Sequence, residues 1–110
     1  MDPMDGHLDA YNRHDLEEFL SYYAPDAVTE DGTGQVMMQG HDMMRQLYGA
    51  LFAQSPNLRA EVVTRIRVGN YVIDEEHITG LVMEGYPSEV HAVVISRLNG
   101  QLIEHVRTLT

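Results

Sequence analysis

The chain contains no cysteine, which removes a disulfide framework, a thiolate nucleophile and a cysteine-held zinc from consideration. That usage suits a reducing compartment, and the cytoplasm is the expected location. Basic residues are scarce: 7 stand against 17 acidic ones, for a formal charge of -10. Such a field repels phosphate backbones and anionic lipid headgroups, and no basic stripe interleaved with aromatics is present. Nucleic acid is not an expected partner. No apolar run approaches the roughly 20 residues of a membrane span, and the amino terminus, MDPMDGHLDA, is acidic where a signal peptide is basic. A soluble protein with no membrane partner is expected. Also missing are an HExxH motif, a two-histidine, one-carboxylate cluster on a single element and a Gly-x-Ser-x-Gly elbow. Gly32-Thr33-Gly34 lacks the lysine and helix of a phosphate cradle. No metal and no cofactor are expected.

What is present is one domain's worth of chain, residues 1–110, with 44% apolar and 22% charged residues, near globular averages. Asp2-Pro3 reads as N-cap and first helical residue, with Met4, Leu8 and Tyr11 at helical spacing, so a first helix is expected over 3–13. Asp15 and Glu18 form a capping box ahead of the Leu16, Phe19, Leu20, Tyr23 stripe, giving a second helix to about Tyr23. A short strand at Ala27–Glu30, a turn at Gly32-Thr33-Gly34 and a second strand to Gln39 follow. A third helix runs from Gly40 to near Ser55 on Met43, Met44, Leu47, Tyr48, Leu51 and Phe52. Beyond Pro56 the composition turns β-branched, with strands at 58–68, 71–79, 90–98 and 101–109, the last two joined by Asn99-Gly100. Three helices followed by a meander predict an α+β fold, with helices on one face of a largely antiparallel sheet. Asp74-Glu75-Glu76 reads as a solvated edge.

Four stretches, YNRHDLEEFLSYYAPDAVTEDGTG, GHDMMRQLYGALF, VISRLNG and GQLIEHVRTL, resemble in this order the ketosteroid isomerase and SnoaL-like branch of the nuclear transport factor two-like superfamily. The resemblance implies a curved antiparallel sheet closed around helices into a cone, one deep, mostly apolar pocket, and a homodimer formed through the sheet. It implies a pocket lined by Tyr11, Phe19, Met44, Phe52, Val62, Val94, Ile103 and Leu109. The isomerase general base falls on Asp31, its two oxyanion donors on His7 and Val94, and a supporting tyrosine on Tyr48. Both donor positions are therefore changed, while the base and the tyrosine are kept.

Asp31 carries two readings. In an apolar cavity its pKa rises toward the range of a general base; as the first residue of a turn it bonds backbone amides instead. His105 and Arg107 share strand parity with Ile103 and Leu109, so an imidazole and a guanidinium enter the pocket together if that face lines it, with Asp31 as the guanidinium's partner. The opposite face, with Leu102 and Val106, has an equal claim to burial. His7, as a neutral imidazole, is a possible donor to a ligand oxygen. Two functions follow: a cofactor-independent enzyme on a small apolar carbonyl compound, with Asp31 as base and His7, Tyr48, His105 or Arg107 steadying the enolate, or a non-catalytic module whose pocket binds a small apolar molecule without turnover or whose sheet docks a partner in a dimer. The strand at 90–98 is apolar on both faces, which predicts a homodimer approached by Val93, Ile95, Leu102 and Val106.

Overall fold

Asp2 caps the first helix by accepting from the Met4 N–H at 2.8 Å, with Pro3 at the first helical position. In the computed structural model, which describes residues 2–110, this helix is α1 (Pro3–Asn12). His14 then adopts φ 58°, a left-handed conformation uncommon outside glycine. Its Nε2 lies 2.9 Å from the Leu58 carbonyl and its ring stacks on Phe52. Asp15 accepts from the Glu18 N–H at 3.2 Å and starts α2 (Leu16–Ser21).

The second helix stops short of the expected Tyr23 because the chain from that residue is taken into a strand. β1 (Tyr23–Glu30) opens four residues before the expected Ala27, and the Ile103 N–H bonds to the Tyr22 carbonyl at 2.9 Å. Pro25 is tolerated there because the ladder is interrupted between Tyr23 and Val28. β2 (Val36–Gln39), α3 (Gly40–Gln54), β3 (Arg59–Val68), β4 (Tyr71–Thr79), β5 (Val90–Asn99) and β6 (Leu102–Leu109) follow within a residue or two of expectation.

The strands form one curved sheet in the order β2-β1-β6-β5-β4-β3, antiparallel except where β1 runs parallel to β6. Extra residues interrupt the ladders at Val63 on β3 and Glu104 on β6, and such bulges bend and twist the strands that carry them. The helices lie against the concave face. At the β3 edge, Asn12 takes the place of a neighbouring strand: its Oδ1 accepts from the Ala60 N–H at 2.7 Å and its Nδ2 donates to the Ala60 carbonyl at 2.9 Å. Met4, Ala10, Phe19, Leu20, Tyr23, Ala27, Met38, Met44, Val72, Ile103 and Val106 form the core between helices and sheet, and Leu51, Phe52 and Leu58 form a smaller one.

Candidate functional site

The interior of the cone is filled mainly by rings. Phe19 sits at the centre, its centroid 4.8 Å from Tyr48, 5.1 Å from Tyr23, 5.7 Å from Tyr11 and 5.9 Å from His7. Phe19, Met44 and Ile103, expected as pocket lining, are fully buried core residues. Tyr11, Phe52 and Val94 pack against the same clusters, and Val62 is half-buried on β3. Leu109 is exposed, paired with Val93 on the convex face. The deep pocket is thus replaced by packed aromatics, and the open space lies elsewhere.

A cavity of about 220 Å³ opens at the carboxyl end of β1, bounded by Thr29, Glu30, Asp31, Met37, Met38, Tyr48, Tyr86, Val106 and Thr108, among others. Its walls come from β1, β2, α3, β6 and the loop carrying Tyr86. Two of the sequence-derived candidates, Asp31 and Tyr48, meet there. The hydroxyl of Thr29 is a buried side-chain polar atom with no hydrogen-bond partner among the described residues.

At Asp31 both sequence readings are partly realised. It borders the cavity, yet its Oδ1 accepts from the Thr33 N–H at 2.8 Å, the Thr33 hydroxyl at 2.6 Å and the Gln35 N–H at 3.1 Å. Those bonds, led by the Thr33 hydroxyl, lower its pKa, opposite to the rise expected from burial. Asp31 is a turn-forming, ionised carboxylate on the cavity's lip.

Arg107 and His105 do not enter the cavity, nor does Arg107 pair with Asp31. The extra residue Glu104 reverses the alternation of β6, so Ile103 points inward, His105 and Arg107 outward, and Val106 and Thr108 inward again. On the convex face both residues engage Glu30, His105 Nε2 at 3.2 Å and Arg107 Nη2 at 3.0 Å, and these bonds lower the Glu30 pKa. The same reversal buries Val106, which was expected at a dimer interface.

His7 is buried, with Nδ1 2.6 Å from the Met4 carbonyl. That nitrogen must carry the proton in the neutral ring, which leaves Nε2 as an acceptor and removes the donor role expected of it. Desolvation lowers its pKa and keeps it neutral.

The Asp74-Glu75-Glu76 run is not a solvated edge. β4 is an inner strand, and only Glu75 faces out, where His91 Nε2 lies 2.7 Å away. Asp74 is 1% exposed and receives Arg65 Nε at 2.7 Å and Nη2 at 3.0 Å. Glu76 is 8% exposed, and its pKa is pushed up to about 7, by desolvation first and the neighbouring Asp74 charge second. Its charge in turn helps raise the phenols of Tyr11, Tyr23 and Tyr48, the last to about 12, although burial is the larger cause in each. Sequence reading missed Glu76 because three consecutive acids look like solvent-facing charge. The signal available was the period-2 alternation, which puts Asp74 and Glu76 on the face of Val72.

Three helices from the first half of the chain on the concave side of a curved six-stranded sheet, with a cavity at one end, define the cystatin-like, nuclear transport factor two-like fold. Residues 4–106 match the SnoaL-like domain, and the chain belongs to that family. It is similar in structure to an uncharacterized cystatin-fold protein from Novosphingobium aromaticivorans, with TM-score 0.87 and 27% identity over 98% of this chain and 95% of that one. A proposed polyketide cyclase from Sinorhizobium meliloti matches with TM-score 0.79 and 21% identity, covering 98% of this chain and 94% of that one. A protein of ketosteroid isomerase-like fold from Catenulispora acidiphila, in complex with trimethylamine, matches with TM-score 0.78 and 16% identity, covering 97% and 83%. No curated protein matches the chain.

Proposed function

We propose that the chain binds a small, mainly apolar molecule carrying a carbonyl or hydroxyl oxygen in the cavity between β1, β6 and α3. The observation that carries this reading is the Thr29 hydroxyl, buried in a wall otherwise rich in Met37, Met38, Tyr48 and Val106 and without a protein partner. Buried polar groups are almost always satisfied, and a turn of the Thr29 side chain toward the cavity would let a ligand oxygen satisfy this one. Structural neighbours, one described by a ketosteroid isomerase-like fold and bound to trimethylamine and one as a proposed polyketide cyclase, support a small-molecule ligand by analogy of fold.

A thermal-shift screen with aryl ketones, phenols and fatty acids tests it. A ligand at about 100 times its Kd adds roughly 2.7 kcal/mol to stability. Thr29→Val, which exchanges the hydroxyl for a methyl, is expected to weaken an oxygen-bearing ligand about fivefold, the worth of one hydrogen bond. If no compound in the screen shifts the melting temperature, the binding reading fails.

The second reading, proton abstraction α to a carbonyl by Asp31, is favoured by its place on the wall of a cavity that Tyr48 also lines. Its lowered pKa weighs against it, since a general base is most effective near the operating pH. Bound ketones are therefore expected to show no deuterium exchange at the α carbon. Exchange that disappears in Asp31→Asn would establish the enzyme instead.

A further inference from the structure

We propose that the ligand of the cavity is elongated, with its oxygen-bearing end by Thr29 and an unbranched hydrocarbon tail running past Met37 and Met38 into an apolar groove between β2 and α3. The inference rests on the cavity reading above and deepens it by naming the ligand class as uncharged medium-chain alcohols and ketones. The groove, of about 360 Å³, is lined by Met37, Met38, Met43, Gln46, Leu47 and Ala50, and Met37 and Met38 also line the cavity. These two side chains are thus a wall shared by both spaces. The cavity alone, about 220 Å³, is smaller than the roughly 300–1,000 Å³ of ordinary small-molecule sites; joined to the groove it falls within that range.

The register of β2 explains the wall. Thr29 pairs with Met38 and Glu30 with Val36, which leaves Met37 as an extra residue, and a bulge of this kind re-aims the side chain it carries. Met38 keeps the concave face of Thr29 and is buried, while Met37 is 45% exposed. Methionine is unbranched and flexible, so a tail can part these two side chains where β-branched residues would resist it. On α3, Met44, Leu51 and Phe52 turn into the core. Met43, Leu47 and Ala50, spaced by four and three, form a second apolar stripe along the groove, with Met43 49% exposed. Although 22% of the chain is charged, no charged residue lines the groove. Past Tyr86 and Thr110 the cavity adjoins another space, but that one is bordered by His91, whose Nε2 lies 2.7 Å from Glu75. A hydrocarbon there would desolvate the pair, so the methionine side suits a tail. The head is uncharged because Asp31, ionised on the lip, repels a fatty acid's carboxylate.

The test uses 1-hexanol, 1-octanol and 1-decanol, with decanoate as the charged comparison, and reads Kd by calorimetry. Each methylene taken out of water is worth about fourfold in affinity, so the wild-type Kd should fall on the order of 100-fold from hexanol to decanol. Ala50→Glu places a carboxylate in the groove at an exposed helical position that glutamate suits. It should weaken decanol by at least about tenfold and hexanol by less than about twofold. Decanoate should bind at least about tenfold more weakly than decanol. In 13C NMR of the labelled methionine methyls, decanol should shift the Met43 signal, identified with Met43→Leu, and hexanol should leave it in place. A Kd that stops falling beyond hexanol, wild-type decanol affinity in Ala50→Glu, or a Met43 methyl unmoved by decanol overturns the groove and leaves the cavity reading standing. Decanoate binding as tightly as decanol overturns the uncharged head. If Ala50→Glu instead halves the mass seen by sedimentation, a second chain covers the groove and the tail has no place in it. No saturable binding of any alcohol overturns the cavity reading and this inference with it.

Discussion

Among single residues, Glu76 has the clearest consequence for stability. Its folded-state pKa of about 7 lies above the ordinary 4.5, so the folded protein holds this proton more tightly than the unfolded chain does. The resulting stability is fully present below about pH 4.5 and is lost as the pH rises through about 7. The displacement corresponds to on the order of 3 kcal/mol. His7 acts in the opposite sense: burial lowers its pKa, so its contribution is present above 6.5 and is lost as the pH falls. Comparing wild type with Glu76→Gln isolates the glutamate. The variant is expected to gain stability relative to wild type as the pH rises from 5 to 8.5, read from denaturant midpoints with unchanged slopes. Parallel pH profiles would show that Glu76 titrates normally.

At the scale of elements, the positions that matter are those where one element supplies what another lacks. β3 is the edge strand, and Ala60, 3% exposed, has its outward-facing amide and carbonyl satisfied by the Asn12 side chain at the end of α1. Replacing Asn12 by alanine removes both bonds at once and leaves a buried N–H and C=O without partners. We expect Asn12→Ala to cost about 2–4 kcal/mol, two desolvated backbone groups at about 1–2 each, and to raise hydrogen-exchange rates at the start of β3. A loss below about 0.5 kcal/mol would mean that water replaces the side chain there. The bulge at Glu104 shows the same dependence in a different form. One inserted residue, itself tied to Arg97 at 2.8 Å, decides that Val106 rather than Arg107 faces the cavity.

For the whole molecule, the unpartnered surface is the convex face of the sheet. Ile66, Val68 and Tyr71 are 52%, 61% and 40% exposed, and the register joins them to Ile73, Ile95, Val93 and Leu109 across β3, β4, β5 and β6. The helices cover only the other side. A twofold dimer through this face remains our proposal, now with Val106 removed from the interface and Ile66 and Tyr71 added. It should bury about 1,200–2,000 Å². The -10 charge of each chain then opposes further association. Sedimentation at micromolar concentration should give twice 12.4 kDa for wild type, and the monomer mass for Ile95→Glu. A wild-type mass of 12.4 kDa at every concentration would exclude the dimer.

The order of elements, the α+β class and most boundaries were legible in the residues alone, because caps, helical stripes and β-branched runs act over a few neighbours. Asp2, Asp15, the Met44-to-Phe52 stripe and Asn99-Gly100 are local signals of this kind. The sequence also brought Asp31 and Tyr48 to the cavity, through the likeness of motifs. Which face each side chain took was settled by contacts between distant parts of the chain. The Glu104 bulge inverted the parity of β6, pairing with β6 drew Tyr23 out of α2, and the inner position of β4 buried Asp74 and Glu76. The physical reason is common to all three: burial and pKa are set by neighbours distant in sequence, and an alternating pattern carries the same charges whether the strand lies at the edge of the sheet or inside it.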